Sequence, residues 1–218
     1  MLHYIKLAIK KPYLIKDAIY KKHLGIILSC NIHEYIDLHK DNISKNKEKY
    51  TFKISKDVDE IFNYYHRMGR DSITKEKISK WLKNGHHCWL VFWNGKVIGG
   101  LWIFFGQIRI DTLSARVLSK NKTIIFDDNI GYRGYVIIDP KYRKRGIYKL
   151  FNDYIMKYYY RNGGIDRIVL ITGASNGAVI KTIMKAHGKL IGIVEVRNIL
   201  GKISRKEIFI DEKEKAWR

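Results

Sequence analysis

Arg143, Lys144, Arg145 and Gly146 stand side by side in the stretch Ile138-Asp139-Pro140-Lys141-Tyr142-Arg143-Lys144-Arg145-Gly146-Ile147-Tyr148-Lys149-Leu150. Three cations followed by a glycine suit the capture of an anion. The run before them, Tyr135-Val136-Ile137-Ile138, is short and β-branched, which predicts a strand. Asp139-Pro140 ends it, because proline gives no N–H to a ladder and restricts the residue before it. After Gly146, Ile147, Leu150, Phe151, Tyr154, Ile155 and Tyr158 recur at the spacing of a buried helix face. The cations therefore lie where a strand turns into a helix. The first N–H groups of a helix have no internal partner and sit at the positive end of its dipole. Glycine lets a ligand approach that backbone, so a phosphate or pyrophosphate is expected there.

The whole chain shares this basic character. Its 218 residues carry a formal net charge of +21, which attracts nucleic acid, anionic membrane surfaces or phosphorylated ligands. Much of the excess is Lys beside Ile, Asn and Tyr, a composition that coding bias alone would also yield. With 46% hydrophobic residues, wholesale disorder is excluded. Cys30 and Cys88 lie far apart and form neither a disulfide framework nor a metal-ligand pair. Reduced thiols in a cytoplasmic protein are expected, and peripheral contact with the inner membrane face is the variant to consider. No apolar run approaches the roughly 18–20 residues of a membrane span, and the N-terminus has no secretory pattern.

The elements that would position the basic turn begin near Tyr50. Residues 1–49 read as a basic N-terminal extension and linker, and residues 50–218 as one domain. In the extension, Pro12 suits a helix start, and Ile15, Ala18, Ile19 and Lys22 share a helical face among lysines. Such a segment, residues 1–24, can touch an anionic membrane or pack on the body of its own protein. Gly25 to Cys30 reads as a short strand or a buried connector, and Asp41 to Lys49 as a linker.

In the domain, Tyr50 to Ile54 predicts a strand, with Ser55 or Asp57 capping a helix that carries Val58, Ile61, Phe62, Tyr65 and Met68. Ser72-Ile73-Thr74 opens a second helix that ends at Gly85. Cys88 to Trp93 and Val97 to Phe104 pair through Asn94-Gly95, a strong hairpin signal. Residues 106–128 are less legible. After the motif helix, Asn162-Gly163-Gly164 stops the chain, Arg167 to Thr172 is a buried strand, and Ser175-Asn176 caps a helix closed by Gly188. Leu190 to Val196 and Glu207 to Ile210 are final strands. The class is α+β, a mixed central sheet with flanking helices and a parallel pair where strand–helix–strand crossovers occur.

Arg143-x-x-Gly146-x-Tyr148, entered through Ile138-Asp139-Pro140, resembles the acyl-CoA pyrophosphate loop of the GCN5-related N-acetyltransferase (GNAT) family. That pattern is Arg/Gln-x-x-Gly-x-Gly/Ala, so Tyr148 stands where a small residue is usual. The succession of elements from roughly residue 50 to 210 is also similar. The resemblance implies a GNAT-like fold and transfer of an acetyl group from acetyl-CoA, as co-substrate, to an amine, for instance an amino sugar or another small molecule. It places the cofactor on Arg143, Lys144, Arg145, Gly146, Ile147, Tyr148 and Lys149. Backbone groups of Val136, Ile137 and Ile138 would lie along the pantetheine arm at a β-bulge, with Asn176 heading the next helix. The family's usual leaving-group Tyr on that helix is replaced by Ile183 or Met184.

Acyl transfer also needs a route for the amine proton. Tyr132 and Tyr135, on the strand that enters the turn, and Glu195 are the candidates, with Asp128 and His187 behind them. His86-His87-Cys88 has no accompanying ligand cluster, so no metal is expected. A non-catalytic module that binds CoA or a polyanion is the competing reading. Nucleic acid is not expected as a partner, since the chain contains no RNA-recognition motif, and a homodimer is compatible with such a domain.

Overall fold

The computed structural model describes residues 20–39, 49–109, 123–199 and 202–210. Among the described residues, ten strands and five α-helices are laid out in chain order. β1 (Tyr20–Asn31) and α1 (Ile32–Leu38) come first, then β2 (Thr51–Ser55), α2 (Val58–Arg67) and α3 (Lys75–Lys83). The hairpin β3 (His87–Trp93) and β4 (Lys96–Phe105) follows, then β5 (Gln107–Arg109) and β6 (Thr123–Ile125). β7 (Ile130–Ile138), a 3-10 turn at Pro140–Tyr142 and α4 (Ile147–Asn162) contain the basic turn. β8 (Arg167–Gly173), α5 (Gly177–Lys185), β9 (Lys189–Ile199) and β10 (Lys202–Phe209) close the chain.

Local chemistry accounts for the element ends. The Asp57 carboxylate accepts from the N–H groups of Asp59 and Glu60 and caps α2, and Thr74 caps α3. Asn94 and Gly95 both have positive φ, as a two-residue hairpin turn whose twist matches its strands requires. β5 and β6 form a small separate sheet, and residues 110–122 between them lie outside the described residues.

The main sheet runs β10-β9-β1-β8-β7-β4-β3-β2. Its pairings are antiparallel except β7 with β8. One face is covered by α2 and α3 through Ile61, Tyr64, Tyr65, Ile78 and Trp81. The other is covered by α1, α4 and α5 through Tyr35, Phe151, Ile155, Met156 and Ile183.

The N-terminal segment departs from expectation. From Tyr20 the chain is strand, so the helical face that was to include Lys22 does not continue there. β1 pairs with β8 on one side and β9 on the other. Ile27 packs into one core and Leu28 into the other. A β-branched apolar run buried on both faces fits an interior strand. Residues 20–38, read as part of an extension, are therefore built into the sheet and its cover. Residues 1–19, with Ile15, Ala18 and Ile19, and residues 40–48 of the linker lie outside the described residues.

His86 and His87 go to opposite faces. His86 accepts the Phe105 N–H at 3.3 Å, and His87 Nδ1 is 2.8 Å from the Tyr159 hydroxyl. Burial pushes the His86 pKa down to about 4 and lowers that of His87. Both folded values lie below the ordinary histidine value, so as pH falls the unfolded chain takes up these protons first. Stability should therefore be complete above about pH 6.5 and decline toward pH 4, by about 1–2 kcal/mol at pH 5 relative to pH 7 from His86 alone. Urea unfolding at the two pH values checks this, and His86→Gln should flatten the difference.

Candidate functional site

β7 begins as an ordinary interior strand. Ile130 to Arg133 pair in parallel with Arg167 to Leu170 of β8. The ladder then stops. On the other side β7 stays with β4, but its register slips: Trp102 faces Gly134 and Gly100 faces Ile137, so Tyr135 and Val136 together oppose Leu101. This is a β-bulge, which turns the strand and re-aims its backbone. Gly134 to Ile138 consequently have no ladder partner in β8, and Ile171 to Gly173 have none in β7. Two parallel strands that start paired and then separate make a slot with backbone along both walls.

The bulge is held by strain and by two tyrosines. Tyr135 has φ 49°, a conformation that costs a non-glycine residue roughly 1–2 kcal/mol. The Tyr65 hydroxyl donates to the Tyr135 carbonyl at 2.9 Å, and the Tyr64 hydroxyl to the Ile137 carbonyl at 3.0 Å. Both phenols are buried, and burial raises their pKa values, so they remain donors across the working pH range. Tyr65→Phe would leave a carbonyl without its partner. It should cost about 1–3 kcal/mol in a denaturant titration and weaken binding in the slot. An unchanged midpoint would show that the bulge holds without it.

The slot opens toward the basic turn. Asp139 is buried, donates its N–H to the Ile98 carbonyl and accepts the Lys141 N–H at 3.0 Å, which sets the 3-10 turn. Arg143 Nε donates to the Ile138 carbonyl at 3.0 Å, tying the turn to the end of β7. Lys144 has φ 61° and Gly146 φ 73°. Gly146 is the N-cap of α4, with no side-chain cap and no acidic residue in the first turn. Nothing lies within 4 Å of where its Cβ would be. The head of α4 is flanked by exposed Lys144 and Arg145, the latter stacked on Tyr142 at 5.4 Å. A basic helix start with no acidic residue in its first turn has the chemistry that suits an anion.

The expected residues fall into two sets. Val136, Ile137, Ile138, Arg143, Lys144, Arg145, Gly146, Ile147, Tyr148 and Lys149 are contiguous along the slot wall and its mouth. Lys149 pairs with Asp153 one turn on, and Ile147 is buried. Tyr148 turns inward, and its hydroxyl accepts from Arg133 Nη1 at 3.3 Å. The ring therefore leaves the helix mouth clear. Asn176 caps α5 just past the unpaired end of β8 and donates to Thr172 Oγ1 at 3.0 Å.

The proton-transfer candidates do not all converge. Tyr135 lies on the bulge, half-buried, its ring against Trp81 and Phe104 on the α2–α3 face. Tyr132 is on the same face but 2% exposed and stacked on Phe126, so packing seals it away. Glu195 is removed altogether. β1 and β8 lie between β9 and β7, which puts Glu195 roughly 14 Å from β7 at ordinary strand spacing. It pairs instead with Arg197. Asp128 precedes β7 at the closed end of the splay, and His187 is exposed beyond α5. Ile183 is buried and Met184 exposed, and neither carries an ionisable proton. Among the described residues, no three His, Cys, Asp or Glu side chains cluster as a metal site would need, and no helix is long and apolar enough to cross a membrane.

Arg133 went unnoticed in the sequence, although a lone arginine inside Ile130 to Ile138 was a readable signal. Tyr64 and Tyr65 gave none, because their hydroxyls act on backbone atoms far along the chain.

The comparisons with known proteins agree with this geometry. Residues 55–188 match the model of the acetyltransferase (GNAT) family. Similar solved structures include a tandem GNAT protein from the clavulanic acid biosynthesis pathway, 11% identical with TM-score 0.58, covering 88% of this chain and 57% of that one. A GCN5-related N-acetyltransferase from Sphaerobacter thermophilus is 16% identical with TM-score 0.52, covering 91% and 56%. A Drosophila protein is 9% identical with TM-score 0.55, covering 88% and 57%. The chain thus spans a little over half the length of these structures, and at such identities the likeness is one of fold. No curated protein matches the chain. With a family model covering most of its length and the splayed strands and basic helix start in place, the chain belongs to the GNAT acetyltransferase family.

Proposed function

We propose that the protein transfers an acyl group from an acyl-CoA thioester, acetyl-CoA being the simplest donor, to an amine. The observation that carries this reading is the coincidence of the β7–β8 splay with an uncapped basic helix start at its mouth. The head of α4, with Lys144 and Arg145, would hold the pyrophosphate. The backbone edge of Gly134 to Ile138 that β8 leaves open would take the amides of the pantetheine arm and polarise the thioester carbonyl. Asn176 would close the mouth from the β8 side. The acceptor would enter from the α2–α3 face, where Tyr135 is the nearest ionisable candidate for passing the amine proton to water. Neither Ile183 nor Met184 can protonate the departing thiolate, so solvent would supply that proton.

Calorimetric titration with acetyl-CoA and with CoA tests the reading. Micromolar affinity is expected, and absence of binding at millimolar ligand overturns it. A second reading, binding without transfer, is favoured by the apolar pair at Ile183 and Met184. It predicts slow thioester hydrolysis that no amine or amino sugar accelerates.

A further inference from the structure

A buried cation sits at the root of the slot. Arg133 is 2% exposed. Its Nη1 donates to the Tyr148 hydroxyl at 3.3 Å, while Nε and Nη2 have no hydrogen-bond partner. Among the described residues no carboxylate pairs with it. One helical turn beyond Tyr148, the buried Asn152 Oδ1 also lacks a partner. A guanidinium withdrawn from water is costly unless an anion meets it.

The position of the free edge gives it meaning. Arg133 is the last β7 residue paired with β8, so the strands part immediately beyond it. Its guanidinium lies on the face covered by α4, and its contact with Tyr148 holds it beneath that helix, at the root of the splay. Nε and Nη2 are the two nitrogens whose N–H bonds run parallel on one edge, the fork that grips a carboxylate with two hydrogen bonds. The exposed cations of the basic turn are placed for phosphates. A single enclosed guanidinium matches a single negative charge.

Resting on the acyl-CoA reading above, we propose that Arg133 recognises a carboxylate at the far end of the donor's acyl group, so that the preferred donor is a short dicarboxylic acyl-CoA. The thioester end lies against the bulge and the acyl chain runs toward the root of the splay. There its carboxylate takes the free Nε–Nη2 edge, and Tyr148 holds the other side of the guanidinium in place. Arg133 is then a specificity-determining residue. It discriminates as buried charge pairs do, by leaving an unpaired charge when the wrong donor binds.

The test is calorimetric titration of the full-length protein with CoA, acetyl-CoA and succinyl-CoA. Succinyl-CoA should bind at least tenfold more tightly than the other two. Arg133→Met should bring the succinyl-CoA to acetyl-CoA affinity ratio to about one, with circular dichroism confirming that the variant is folded. Equal affinity of the unaltered protein for acetyl-CoA and succinyl-CoA overturns the proposal and leaves the acyltransferase reading standing. It is also the result expected if an enclosed water merely joins Arg133 to Asn152. Binding of none of the three overturns both readings. The comparison of thioesters on the unaltered protein does not depend on whether the variant folds.

Discussion

Gly146→Glu is expected to abolish measurable binding of CoA and its thioesters while leaving a folded protein. Two effects add. At φ 73° a residue with a Cβ is strained, by roughly 1–2 kcal/mol, and relaxing that strain shifts the N–H groups that open α4. The new carboxylate also stands where the pyrophosphate would bind, turning a helix-end attraction into repulsion. A loss of about 100-fold or more corresponds to about 3 kcal/mol. The fold should tolerate the change, because nothing lies within 4 Å of the added Cβ and the position is exposed. Calorimetry and thermal unfolding together decide the matter. Unchanged affinity would remove the α4 terminus from the binding site. Gly146→Ala, which carries the strain without the charge, should fall between the two.

The second large effect concerns residues 1–49. A chain beginning at Tyr50 is expected not to fold. It would lose Ile27, Leu28, Cys30, Ile32 and Tyr35, each at most 2% exposed. At roughly 1.5–3 kcal/mol for each buried apolar side chain the loss is on the order of 10 kcal/mol, comparable with the whole stability of a domain. It would also leave β8 and β9 with bare edges where β1 had joined them, an invitation to aggregate. Circular dichroism and gel filtration would report this, and a cooperative melt from the shortened chain would contradict it. A chain beginning at Tyr20 keeps every one of these pairings. It is the form in which to ask whether residues 1–19 carry the protein to anionic vesicles, which we propose as the role of their lysines.

How much could be read in advance depended on how far each determinant reached along the chain. Asp57, Thr74, Asn94-Gly95, Gly146 and Asn176 act on backbone within a few residues, so their elements were legible. The basic turn was legible for the same reason: its cations, its glycine and the helix they open are contiguous. The bulge was not, since Tyr135 and Val136 carry no side-chain signature for it, and the hydroxyls that fix it come from Tyr64 and Tyr65, about 70 residues earlier. The misplacement of Glu195 has a similar origin. Local pattern identified β9 as a strand, but its distance from β7 depends on which strand fills the gap. That strand is β1, from the far end of the chain.

Strand order also governs how the protein can be made. β1 is the first described element to leave the ribosome, yet its partners are residues 167–173 and 189–199. Until those residues emerge, an apolar strand must wait with both edges unpaired. The β10-β9-β1-β8 half of the sheet is thus a closure of sequence-distant segments, which makes for high contact order and slow folding. Folding should complete only after synthesis of the C-terminal strands, and the nascent chain should depend on chaperones to shield Gly25 to Cys30 in the interval.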